Sequence, residues 1–73
     1  MERSEIIVDC TELEAPEPLS LVISKLQLLD DTNRLKMIHR LKPQMLFSIL
    51  DKNGYKYEII EEEAVIIIFV WKE

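Results

Sequence analysis

The stretch that most constrains this chain is Asp9-Cys10-Thr11-Glu12-Leu13-Glu14-Ala15-Pro16-Glu17-Pro18-Leu19. An apolar run, Ile6-Ile7-Val8, leads into it, and an amphipathic pattern leads out. That sequence reads as a strand-to-helix turn with two prolines in the first helical turn. Proline is tolerated there because its missing N–H would find no intrahelical partner. Such a turn aims a helix N-terminus, with unpaired N–H groups and partial positive charge, past the end of a strand.

The remaining elements follow from periodicity and punctuation. Alternation predicts a first strand over Glu5–Cys10, with Ile6, Val8 and Cys10 on the core side. A helix is expected from Glu17 to about Leu29. Leu19, Val22, Ile23, Leu26 and Leu29 form its buried stripe, and Leu21 and Leu28 widen it. Asp30-Asp31-Thr32-Asn33 reads as a turn, because short polar side chains compete for nearby backbone. A second strand is expected over Arg34–His39. A second helix is opened by Pro43 and runs to about Lys52, with Met45, Leu46, Ile49 and Leu50 facing inward. Asn53-Gly54 stops it, the glycine supplying a left-handed cap. Tyr55–Glu61 and Ala64–Trp71 then make a hairpin about Glu62-Glu63.

The order β-α-β-α-β-β predicts one α/β (α+β) domain over residues 1–73. It is a two-layer sandwich with a four-stranded mixed sheet and both helices on one face. The fourth strand is apolar on both faces, which places it centrally, paired with both the second and the third. Its helix-free side must be screened by long neighbours such as Lys36, Lys56 and Glu58, or buried against a partner, with a homodimer through that face as one solution.

Composition limits the function classes. Fourteen acids against nine bases leave a net charge of −5, which argues against a nucleic-acid binder needing a basic surface. One cysteine permits no internal disulfide, and Cys10 and His39 alone are too few ligands for zinc. The longest apolar run, Ala64 to Trp71, is too short to span a bilayer, so no membrane insertion is expected. The charged start Met1–Glu5 lacks a signal-peptide pattern, and a cytoplasmic protein is the expectation.

The candidate chemistry is sparse. Cys10 lies among apolar alternation partners with acids nearby, so a small buried hydrophobe is expected rather than a reactive thiol. Asp9 is expected to accept N–H bonds from its own turn. Tyr55, Tyr57 and Trp71 are assigned to core and edge packing. In a parallel β-α-β unit the first two strands end at the same sheet edge, the usual binding position of open α/β sheets. His39, Arg40 and Lys42 would there face the turn carrying Glu17, with both helix starts beside them. That set suits a small anion, or a flavin or other phosphate-bearing ligand. The competing assignment is a structural histidine, with Arg40 and Lys42 balancing Glu12, Glu14 and Glu17. No nucleophile set, Gly-rich loop or metal motif accompanies these residues, so no enzyme and no resident cofactor are expected.

Strand, Asp, a short turn, a Pro-x-Pro-Leu helix start, then strand, helix and hairpin together resemble the TusA/SirA-like sulfur-carrier fold. In that family the turn carries Cys-Pro-x-Pro, whose cysteine holds a persulfide; here Ala15-Pro16-Glu17-Pro18 puts alanine at that position. A closer likeness is an uncharacterised TusA-like family of unknown function that lacks the cysteine. Val8–Leu19, His39-Arg40-Leu41-Lys42-Pro43 and Asn53–Glu58 are similar to its three motifs. Arg40 and Leu41 stand where that family favours an acid and a proline. The resemblance implies a non-enzymatic accessory module with a protein partner in a redox or sulfur-related system. The alternatives are a flavin- or nucleotide-binding subunit of an oxidoreductase and, ranked below it, a sulfur-transfer carrier using Cys10.

Overall fold

The structure, a computed structural model, describes residues 4–14 and 17–72; residues 1–3, Ala15 and Pro16 of the first turn, and Glu73 lie outside it. The elements run β1 (Ser4–Asp9), α1 (Glu17–Leu26), β2 (Asn33–His39), α2 (Gln44–Lys52), β3 (Tyr55–Glu61) and β4 (Ile66–Lys72). The sheet order is β1-β2-β4-β3. β1 and β2 are parallel, with Val8 beside Met37, and β4 runs antiparallel to both β2 and β3.

This is the expected mixed sheet with the apolar strand inside it. Alternation sends Leu35, Met37, Ile68 and Val70 to one face, where all four are fully buried against Val22 of α1 and Leu46 and Leu50 of α2. Both helices therefore cover one face. On the opposite face, Ile67, Phe69 and Trp71 are only half-buried, and Ile7 is 62% exposed. The cover there comes from cations. The Arg34 guanidinium lies 4.4 Å from the Phe69 ring centroid and the Lys36 ammonium 5.8 Å. Arg34 is steadied in turn by an ion pair to Glu5.

Four expectations are corrected at element ends. α1 stops at Leu26, not Leu29: the N–H groups of Leu28 and Leu29 bond the carbonyls of Lys25 and Leu26, three residues back. The cause is Asn33, whose Nδ2 donates to Leu28 O at 2.8 Å while its Oδ1 accepts the Asp30 N–H at 2.8 Å, capturing the chain for β2. Leu29 still reaches the core, but Leu28 is left 55% exposed and Ile23 also faces solvent. β4 begins at Ile66 instead of Ala64, because Glu62 N–H bonds Val65 O and closes a turn over Glu62–Val65. Pro43 caps α2 without entering it. Met45, expected inside, is 70% exposed, since it sits roughly 100° around the helix from Leu46. At the far end Gly54 takes φ +75°, and its N–H bonds Asp51 O, as the cap requires.

One device recurs at the two loops flanking α1. Asp9 Oδ1 accepts from the N–H and the hydroxyl of Thr11, and Asp30 Oδ1 accepts the same pair from Thr32. The Thr11 N–H, then its hydroxyl, hold the Asp9 carboxyl below its ordinary value; the Thr32 hydroxyl and N–H do the same for Asp30. Both bonds favour the ionised form, so the stability they contribute is present above the ordinary carboxylate range and lost as pH falls through it. The double variant Asp9→Asn/Asp30→Asn keeps an acceptor oxygen at each turn without a titrating group. Its urea midpoint should change less between pH 5 and about 2 than that of the wild type. Parallel midpoint-against-pH curves would show that these turns carry none of the acid sensitivity.

Candidate functional site

At the edge where β1 and β2 end, the chain leaves β2 at His39, crosses Arg40-Leu41-Lys42 and enters α2 through Pro43. The start of α1 lies opposite. Between them runs an open, mainly apolar groove of about 320 Å³, with Pro18, Leu19, Leu41, Pro43 and Met45 among its walls. Pro18 and Leu46 are buried beneath it, whereas Leu41 and Met45 each expose 70% of their surface on its rim.

His39 lies in the groove wall and is 7% exposed, the one polar side chain among the buried described residues. Its strand position forces this: Met37 and Leu35, two and four residues earlier, point inward, so His39 must too. Its Nδ1 is buried with no hydrogen-bond partner. A buried, unsatisfied ring nitrogen costs on the order of 1–3 kcal/mol.

The four residues expected at this edge are only partly brought together. His39 and Lys42 share the groove. Arg40 does not: one step past an inward histidine, it leaves on the other side, beside Glu61 at the end of β3 and Glu62 and Glu63 of the turn that follows. Glu17 is exposed and outside the groove lining, its N–H bonded to Glu14 O at 3.0 Å. The charge available to an anion is further reduced. The Lys42 ammonium pairs with Glu61 at 3.2 Å, and the Gln44 and Leu46 N–H groups are taken by Lys42 O and Pro43 O. Leu41 and Met45 were not expected in the site. Their signal was there in principle: an isolated leucine between two cations, and a methionine off the axis of Leu46 and Leu50.

Cys10 is fully buried, with Sγ 4.0 Å from Val8 O. Burial pushes its thiol pKa up, and the neighbouring Asp9 carboxylate adds to this. The thiolate needed for sulfur transfer is therefore disfavoured. Among the described residues no three of His, Cys, Asp and Glu assemble as a metal site, and no helix is long and apolar enough to cross a membrane. Compared with protein families, curated proteins and solved structures, the chain matches no family model and has no significant match among the curated proteins or the solved structures.

Proposed function

We propose that this chain is a small non-enzymatic binding protein of the cytoplasm that docks an apolar segment of a partner protein in the groove between the α1 and α2 starts. One observation carries the reading: Leu41 and Met45 each expose 70% of their apolar surface along one groove. Exposed hydrophobic surface costs solubility, and an apolar peptide segment laid over it removes that cost. The TusA-like resemblance supports a partner in a redox or sulfur-related system. A sulfur-carrier role finds no support in a buried cysteine of raised pKa.

Peptides selected from a displayed library against the native protein, then synthesised, should be apolar. Bound to labelled protein, they should shift the amides of Leu19 and residues 39–46 ahead of all others. Leu41→Glu/Met45→Glu should weaken them by about tenfold or more with little change in Tm, since both side chains are already in solvent. His39→Met removes the orphan nitrogen and should stabilise the fold by about 1 kcal/mol while leaving the same peptides bound, since that nitrogen lies beneath the groove surface. Flavin mononucleotide or inorganic phosphate moving these amides where the peptides do not would replace docking with a ligand site of the flavin-binding kind. No response to any of the three defeats the reading.

A further inference from the structure

We propose that two copies of this chain pair antiparallel along β3, about a two-fold axis at Tyr57, to form a continuous eight-stranded sheet. The surface is the sheet edge remote from β1, and the reasoning is independent of the groove. β3 is the last strand in the order β1-β2-β4-β3, and its register against β4 runs unbroken from Tyr55–Lys72 to Glu61–Ile66. It holds no proline, glycine or bulge. One row of its N–H and C=O groups is therefore directed away from the sheet, and such an edge invites another strand.

Charge selects the occupant. Lys56 and Glu58 are exposed on the helix-free side of β3, two residues apart, and among the described residues neither joins a salt bridge. A two-fold axis normal to the sheet keeps each face on its own side, so only residues of the same face can stand opposite each other. Few registers meet that condition. An axis at Lys56 opposes two lysines, and one at Glu58 opposes two glutamates. An axis at Tyr57 sets each Lys56 opposite the other copy's Glu58, twice, and Tyr55 opposite Ile59. Opposite charges facing across strands attract, and like charges repel. A lone edge lysine protects against self-pairing; a lysine followed two residues later by a glutamate does the reverse. On the helix side, Tyr57 stacks on Phe47 with ring centroids 5.2 Å apart, and the axis brings two such half-buried stacks together. The other edge lacks this complementarity, since an axis at Ile7 in β1 would set Glu5 against Asp9.

Sedimentation equilibrium across micromolar to millimolar concentrations tests this directly. The wild type should dimerise, more weakly as salt is added. Lys56→Glu and Glu58→Lys each place four like charges around the axis and should each raise the dimer Kd by about tenfold or more. The double variant Lys56→Glu/Glu58→Lys restores opposite pairs and should return to within about threefold of the wild type. Both side chains are in solvent, and far-UV circular dichroism will show each variant folded. A wild type monomeric at 1 mM, on the order of the weakest specific association, overturns the proposal, as do single variants that dimerise like the wild type. A dimer indifferent to these charges but split by Ile67→Lys would place the contact on the outer sheet face instead, and equally overturns it.

Discussion

Ile68→Ala should cost about 3 kcal/mol or more, while Ile67→Ala, one residue away, should cost about 1 kcal/mol. Ile68 sits at the middle of the inner strand β4, flanked by Met37 of β2 and Ile59 of β3, and exposes nothing to solvent. Removing its branched side chain leaves a cavity that three strands and the helical layer cannot easily close, so the loss exceeds the transfer term alone. Ile67 points to the helix-free face, where water already reaches it. A chain of 73 residues has a total stability of roughly 4–11 kcal/mol, with small domains near the lower end. Ile68→Ala should therefore bring the protein close to its unfolding threshold at room temperature. Urea titrations of the two variants read the difference. Hydrogen exchange supplies an independent check, because β4 has a strand on each side and its amides should be the slowest. Equal losses at the two positions would mean that β4 is buried on both faces by something other than the helices.

How far the chain could be read without its structure depended on which interactions set each feature. β3 was legible to the residue, because Gly54 ends α2 and the acidic turn ends the strand, both local signals. The place of β4 followed from an apolar count on two faces, a property that only a central strand tolerates. The end of α1 was not legible, because it is decided by Asn33, five residues beyond the carbonyl it captures. The cover of the outer face was half legible. Long neighbours such as Lys36, Lys56 and Glu58, or a partner, were expected over β4; Lys36 is there, but Arg34 lies closer to Phe69 through a neighbouring-strand register that local pattern does not specify. At the candidate site, His39 and Lys42 followed from the rule that parallel strands end at one edge. Arg40 departs because side chains alternate along a strand, and a residue next to an inward histidine leaves on the opposite side. The apolar character of the groove was the least legible feature, since Met45 belongs to an amphipathic helix and is distinguished from core only by its angle around the axis.

Cys10 in the native protein should react with a maleimide about 10³-fold or more slowly than in urea, and the native rate should follow global unfolding rather than local motion. The sulfur is fully buried in the cluster that holds Val8, Met37 and Leu46, and its own N–H is fixed to Ile38 O at 2.7 Å. A reagent must therefore wait for an opening, whose population is set by a stability of several kcal/mol. The chemistry runs the same way, because burial and then the Asp9 carboxylate hold the thiol protonated where a free cysteine would begin to ionise. The native state thus binds the proton more tightly than the unfolded chain does. Stability carried by Cys10 is intact below the ordinary thiol range and falls as pH rises through it, the opposite slope to that of Asp9 and Asp30. Cys10→Ser should lower stability by about 1–3 kcal/mol through a hydroxyl with apolar neighbours, and Cys10→Ala by less than that. The two substitutions also flatten the alkaline limb of the stability profile, which a packing defect alone would leave in place. Labelling of the folded protein at a rate near that of the unfolded chain would show a thiol within reach of solvent, and would return the sulfur-carrier role to consideration.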